Sequence, residues 1–516
     1  MELHYTLAGL AIAALTVGTV SAQNGTLDES FLGTGIYTDN PTVGDEEVMA
    51  IVSLSDGSMV LAGTVSNGTD MDVTLRKLTV DGIIDATFGT SGTTTTAFGD
   101  ADDIPQAMVV DADGKLLMCG TLFTAGLNNN RMFIARYTAA GDLDLTFGGG
   151  DGYAEVNDNG GDSEVGRAIS VMSDGRIVMV GSGGAPVNRE PYILRYLADG
   201  TPDPTFASNG KLILGVGLLA DEVPYAVHAA ENGTITLAGM AKTSSASDQH
   251  DAVVYRLLVD GTPDDGFGTS GYVLIEFVPE AQDRARSIWV DATGVTIGCT
   301  TEGGSGMARF ENDGALDPTF GAAGSGMVFD GLGTDRIAAF VRQPDGKFLL
   351  CGEATTPDGL NWVVARKTAQ GLTDGTWPLV NQDLDGEDDR VNAIALQVDG
   401  KVLVAGAARS GNDGWAVARY ENDFLSSVSD VVIPAMHMTV APDPIANNGW
   451  VLLNGFGTGR WDVSVIDAQG RVVSLVHRGA VSGNVLDLDA SKLSSGTYIV
   501  RAFGEGRIVQ ASFVKH

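Results

Sequence analysis

The chain has 516 residues, with 66 Asp and Glu against 31 Lys and Arg, and 69 glycines. A formal charge of −35 repels a phosphate backbone, which excludes nucleic-acid binding and leaves room for cations or basic ligands. Abundant glycine, modest aromatic content and short apolar runs between polar turns exclude a helical bundle and predict many short strands.

Residues 1–22 read as a secretory signal peptide. An apolar core from Leu7 to Val20 ends in Val20-Ser21-Ala22, whose small residues suit cleavage before Gln23. Glu2 and His4 stand where basic residues are usual, and the core is short for a membrane span. No later stretch is apolar enough to cross a membrane, so the mature chain is expected to be secreted, without a transmembrane segment, and monomeric.

Residues 23–424 repeat. The stretch Asp113-Gly-Lys-Leu-Leu-Met-Cys-Gly120 has clear counterparts at 56–63, 174–181, 345–352 and 399–406, and worn ones at 232–239 and 293–300. Its turn glycines, Gly57, Gly114, Gly175, Gly233, Gly294, Gly346 and Gly400, recur at intervals of 52 to 61 residues. A period of this length marks a repeat architecture. Each unit opens with an aspartate three residues before an aromatic: Asp28/Phe31, Asp85/Phe88, Asp144/Phe147, Asp203/Phe206, Asp264/Phe267, Asp317/Phe320 and Asp374/Trp377. Such an aspartate can accept backbone N–H groups two or three residues on, with the ring as an apolar anchor. A short strand follows, then an acidic loop.

Eleven residues before every turn glycine stands a carboxylate: Glu46, Asp103, Glu164, Glu222, Asp283, Asp335 and Asp389. An alternating strand, the Asp-Gly turn and a buried strand come next, then a variable loop and a strand of the type Phe133-Ile-Ala-Arg-Tyr137. One arginine per unit stands there: Arg76, Arg136, Arg195, Arg256, Arg309, Arg366 and Arg419. Four strands per unit and no helix predict an all-β, seven-bladed β-propeller of four-stranded blades. Its termini should meet at the seam between first and last blades, because an open array would expose two edges.

The units Leu143-Asp-Leu-Thr-Phe-Gly148, Asp113-Gly-Lys115 and Ala135-Arg-Tyr137 resemble the bacterial delta-60 repeat family over roughly 27–422. The resemblance implies a propeller of bacterial surfaces with no established catalytic activity. The fifth unit departs from it at Thr300, which lacks the closing glycine, and the seventh has Trp377-Pro378 for Phe-Gly.

After Asn422 the period stops. A linker at 425–437 leads into residues 438–516, where the large acidic excess disappears. Alternating segments such as Trp461-Asp-Val-Ser-Val-Ile466 predict a small Ig-like β-sandwich. Pro442-Asp-Pro444, the run ending Gly470-Arg471, the run containing Gly496-Thr-Tyr498, and a basic end at Lys515 resemble the type A sorting domain of the Bacteroidota type IX secretion system. That resemblance implies export across both membranes, engagement of the type IX machinery and attachment to the outer cell surface.

The seven carboxylates and seven arginines, equal in number, predict a brace within each blade, since arginine and carboxylate pair in two-pronged fashion. The competing reading is a ring of acids that focuses a cation. Cys119, Cys299 and Cys351 share one repeat position and are expected to be free, buried thiols. The loop containing Asn381, Asp383, Asp385 and Gly386 has the oxygen spacing of a calcium loop, but Asn392 stands where the bidentate glutamate belongs. Calcium is the one cofactor the sequence suggests, weighed against a solvated turn.

Only His228 and His250 lie in the repeats, which leaves no histidine-rich metal centre and little for a nucleophile system to depend on. The leading expectation is a non-catalytic binding or adhesion scaffold whose ligand, a surface polysaccharide or protein, meets the variable loops 122–130, 183–191 and 242–251. The alternative is a surface carbohydrate-active enzyme, a hydrolase or lyase, using two carboxylates on one propeller face.

Overall fold

The Asp-Gly turns close hairpins. The computed structural model describes residues 24–516 apart from 43, 125–128, 157–162, 186–187, 216–220, 244–248, 331–335, 385, 424–436, 442–443, 455–459, 468–470, 481–484 and 505–506. In it the strand Asp103–Val110 runs antiparallel to Leu116–Leu122. Gly114 takes φ +77° at the turn between them, a left-handed value that L side chains resist. Asp111 fixes the turn by accepting the N–H groups of Asp113 and Lys115, both at 2.9 Å. Arg131–Tyr137 and Tyr153–Val156 complete a four-stranded antiparallel sheet.

Residues 24–425 form one compact unit built of seven such sheets. The first hairpin strands of successive sheets touch in order, and Arg390–Leu396 of the last touches Val48–Ser53 of the first. The result is a closed ring of β-sheets, a β-propeller. The chain seals it by pairing Ile36–Asp39 with Asn412–Tyr420, from Ile36 opposite Ala418 to Asp39 opposite Trp415. The two ends of the repeat thus share one sheet.

Each pair of neighbouring sheets encloses a core. Val60, Ala62 and Leu75 of one sheet, for example, pack with Met108, Met118 and Phe133 of the next. The only helical turn among the described residues is Ala322–Gly324.

The fifth repeat corrects a register. Asp291 pairs directly with Gly294, so its hairpin turn is one residue shorter than the others. Cys299 therefore faces Ala285, where Gly120 faces Pro105 and Gly352 faces Ile337. Cys299 occupies the closing-glycine position itself, not the position shared by Cys119 and Cys351, and it is Cys299 rather than Thr300 that replaces the glycine. All three cysteines are buried and free. Burial pushes the thiols of Cys119 and Cys351 up to about 12.

The second compact unit, residues 426–516, holds two sheets around one core. His437–Ala441, Asn448–Asn454 and Val485–Asp489 form the first. The second runs in the order Val472–Ala480, Arg460–Ile466, Gly496–Gly504, Arg507–Lys515. Val451, Leu453, Trp461, Val463, Tyr498 and Phe513 fill the space they share. Tyr498 stacks on Phe513 and donates its hydroxyl to the Ser494 carbonyl at 3.0 Å. Lys515 closes the last strand. Pro442 and Gly470 lie outside the described residues, as do the signal segment 1–22 and most of the linker.

Candidate functional site

Among the described residues, the repeat acids and the repeat arginines do not meet. Asp103 accepts the N–H groups of Phe98 at 2.6 Å and Gly99 at 3.0 Å. Asp283 accepts from Phe277 at 2.6 Å and Val278 at 3.3 Å, and Asp389 from Leu384 at 2.7 Å. Glu46 accepts from the Thr42 N–H at 3.2 Å, and Glu222 from the Tyr255 hydroxyl at 2.7 Å. Glu164 is equally buried, and Asp335 lies outside the described residues. Most of these acids therefore pin the loop that enters a new sheet, by accepting its backbone N–H groups. Burial outweighs those hydrogen bonds for Asp103 and Asp283, whose carboxyls are pushed up to about 6.

The arginines pair with the other aspartates. Nε of Arg136, Arg195, Arg256, Arg309 and Arg366 lies 2.7–3.0 Å from Oδ2 of Asp144, Asp203, Asp264, Asp317 and Asp374, each eight residues later. Asp28 has no such residue before it and takes Arg419 at 2.6 Å, across the seam. In five of these six, all but Arg309, the guanidinium lies over the aromatic that follows the aspartate, 4.6 Å from the ring centroid of Phe206 for Arg195 and 4.8 Å from that of Phe31 for Arg419. Arg195 also donates to the Val259 carbonyl at 2.5 Å, and Arg256 to that of Asn312 at 2.5 Å, in the next unit's turn. Arg136, Arg195, Arg256, Arg366 and Arg419 are thus clips from one sheet to the next unit's turn, whereas Arg309 directs its remaining donors to Asp291, Thr293 and Thr296 of its own sheet.

Arg76 is the exception, because it is one register early. Lys77, eight residues before Asp85, holds that carboxylate at 3.0 Å. Arg76 faces the other side of the strand, donates to Tyr37 at 2.9 Å, pairs with Asp39 and lies 5.1 Å from the Trp415 ring centroid.

The calcium loop's described members have protein partners: Asp383 accepts from the Gly386 N–H at 2.6 Å within a turn, and Asn381, on the strand Val380–Gln382, accepts from Asn361 of the adjacent strand at 2.8 Å. Asp385 lies outside the described residues, among which no cluster of three metal-ligating side chains occurs. His228 lies on the strand Glu222–Ala229. His250, read as a loop residue, opens the strand His250–Leu257 and is buried against Asp221 at 2.9 Å. Arg189 holds the same carboxylate with two nitrogens, at 2.5 and 2.8 Å. Two of the variable loops contribute to this cluster, but all three contain stretches outside the described residues.

The site with chemistry to offer lies at the middle of the ring. Each innermost strand carries a β-bulge at one height, and its extra residue is Met49, Gln106, Arg167, Tyr225, Arg286, Ala338 or Asn392. Six of the seven bulges lie opposite a closing glycine, where the backbones approach closely: a Cβ on Gly120 would lie 2.1 Å from the Ile104 carbonyl oxygen, whereas the fifth bulge faces Cys299. All seven extra residues line one cavity of about 370 Å³.

Arg167 and Arg286 stack on Tyr225, 5.0 and 4.7 Å from its ring centroid. Arg336 also lines the cavity, but it pairs with Glu353 at 3.0 Å and donates to Asn392 at 3.2 Å. Burial pushes the Arg167 guanidinium below its ordinary value. It does the same to Arg286, down to about 10, with Tyr225 opposing the shift and Arg336, Arg284 and Arg167 adding to it. Among the described residues the lining holds no carboxylate, imidazole or thiol. It can donate hydrogen bonds and positive charge, and Tyr225 is the lining side chain able to exchange a proton.

The sequence reading missed this ring because its members share no residue type. Each nevertheless stands three residues after a repeat carboxylate, from Glu46 to Met49 through Asp389 to Asn392.

A family model described as "Domain of unknown function (DUF5122) beta-propeller" matches residues 112–147, 173–206, 295–320 and 397–423. No curated protein matches the chain. Solved structures similar in fold include Sqt1 of Chaetomium thermophilum, at 13% identity and TM-score 0.41, covering 75% of this chain and all of that one. A polysaccharide lyase of the PL25 ulvan lyase family, bound to a GlcA–Rha3S unit, matches at 13% identity and TM-score 0.42, covering 74% and 95% of the two chains. Polysaccharide lyase Uly1 matches at 10% and 0.43, covering 78% and 98%. At these scores the likenesses carry no argument about function.

Proposed function

We propose that this chain is a secreted, surface-attached, seven-bladed β-propeller that acts as a non-catalytic binding scaffold. Its ligand site is the ring of bulge residues, with the variable loops contributing. The carrying observation is the contrast between scaffold and ring. Positions that build the sheets repeat from unit to unit, whereas the seven bulge positions hold Met49, Gln106, Arg167, Tyr225, Arg286, Ala338 and Asn392 around one cavity. Residues freed from repetition and gathered in a concave, polar place suit recognition.

In the same proposal, residues 438–516 are an Ig-like sorting sandwich for type IX secretion in a Bacteroidota cell. The support is the ordered run of landmarks from Pro444 to Lys515 and the two sheets sharing one core.

The alternative is a carbohydrate-active enzyme working with carboxylates on one face. Purified mature protein, screened against acidic and neutral glycans, separates the two. The scaffold reading expects retention on a glycan or protein ligand without depolymerisation. Turnover abolished by a single Asp or Glu substitution overturns it.

A further inference from the structure

We infer that the central cavity binds an oxyanion, a carboxylate, sulfate or phosphate group of a small molecule, between Arg167 and Arg286. This rests on reading the bulge ring as the ligand site. The first observation is a contrast within the molecule. Six arginines between the sheets, Arg136 through Arg419, each have an aspartate carboxylate within 3.0 Å. Arg167 and Arg286 have none: among the described residues neither makes an ion pair, and the Nε of each is buried without a hydrogen-bond partner. The chain has 66 carboxylates, and none of those among the described residues lies on the wall of this cavity.

Holding two guanidinium groups near one ring is unfavourable unless something offsets their repulsion and their loss of water. Tyr225 offsets part of it by presenting a face to each cation. The remaining N–H donors of two planar, fixed forks suit the paired oxygens of an oxyanion. Because Tyr225 is occupied by guanidinium groups, recognition depends on charge, not on stacking a sugar against an open aromatic face. Gln106 and Asn392 add neutral polar contacts at the same height.

The test uses the full mature chain at fixed ionic strength, titrated calorimetrically with sodium sulfate, sodium phosphate, sodium glucuronate and uncharged glucose. The inference expects binding of at least one oxyanion, weakened about tenfold or more in Arg167→Met or Arg286→Met, the loss expected for a charge-assisted contact. Glucose should not bind at this site. Response to sulfate or phosphate alone identifies an inorganic-type group, and response to glucuronate identifies an organic acid. Each variant should also melt no lower than wild type without ligand, since it removes an uncompensated cation, so loss of binding cannot be ascribed to unfolding. The inference is overturned if no oxyanion binds, or if binding survives unchanged in the Arg167→Met/Arg286→Met double variant. If a neutral glycan binds and Tyr225→Ala or Asn392→Ala abolishes it while the arginine variants do not, the scaffold reading stands and the oxyanion falls.

Discussion

Two kinds of arginine, paired and unpaired, occur inside the ring of sheets, and their difference is the most informative fact at the scale of single residues. Arg195 and Asp203 are each only 1% exposed, and together with Phe206 and Thr205 they join one sheet to the next unit's turn. Replacing Arg195 by Ala strands a buried carboxylate, so it should cost about 3 kcal/mol of unfolding free energy. Arg195→Lys keeps the charge but loses the fork that reaches Thr205 and Val259, and should cost about 1 kcal/mol. Chemical denaturation of the two variants checks this ranking; equal costs for both would remove the fork from the account. Nature supplies the same comparison at Lys77, which holds Asp85 with a single ammonium and leaves that aspartate more exposed than Asp203.

At the scale of strands and loops, two sets of aspartates pull stability in opposite directions with pH. The clip carboxylates, including Asp28, Asp144 and Asp374, are held well below the ordinary range by hydrogen bonds and neighbouring cations, despite the burial that opposes them. Their contribution is present above pH about 4 and is lost as pH falls. Asp103 and Asp283, raised to about 6 by burial, behave the other way. The folded state holds their protons more tightly than the unfolded chain, so their contribution is full below about pH 4 and is lost as pH rises through 6. Asp103→Asn/Asp283→Asn keeps a carbonyl acceptor for the loop amides and removes the titration. The double variant should therefore gain stability relative to wild type between pH 4.5 and pH 7.5, by about 2 kcal/mol for each residue replaced, about 4 kcal/mol together. Denaturant midpoints at the two pH values measure it, and parallel curves would refute the assignment.

What the sequence revealed at this scale follows the same division. Strand order, the hairpin turns and the ring closure were legible because each has a local signature repeated many times, as in Asp111 capping the turn at Gly114. Pairing between two sets of equal count was not legible, because counting cannot tell which aspartate an arginine faces. Single-residue register was equally hidden: Arg76 and Cys299 each sit one place from where alignment put them, and one place reverses the face of a strand. The bulge ring escaped notice because periodicity finds what is repeated, and its seven positions differ.

For the whole molecule, stability depends on a seam that no single repeat can make. Strand Ile36–Asp39 supplies the fourth strand of the last sheet, Asp28 supplies Arg419 with its carboxylate, and Lys401 reaches the same Asp28 oxygen at 2.6 Å. Phe31 lies under Arg419 and against Gly82, where a Cβ would come within 2.7 Å of the ring. Removing residues 24–40 therefore takes away one strand, one ion-pair partner and one aromatic wedge together. The strand Asn412–Tyr420 would be left as a long unpaired edge, and Trp415, which is fully buried, would lose its cover. The expected outcome is a melting temperature lower by at least about 10 °C, together with concentration-dependent association through the new edge. Calorimetry and light scattering report the two effects separately. Adding a synthetic peptide of residues 24–41 in trans should reverse both, because it restores the strand and Asp28 at once. If the truncated chain melts as the intact one does and stays monomeric, then the ring is held by its sheet-to-sheet cores alone and the seam contributes nothing. The Asp28→Asn variant divides the contribution further: it keeps the strand and the wedge, so it should lose only the part that belongs to Arg419 and Lys401, about 2–3 kcal/mol, with no tendency to associate.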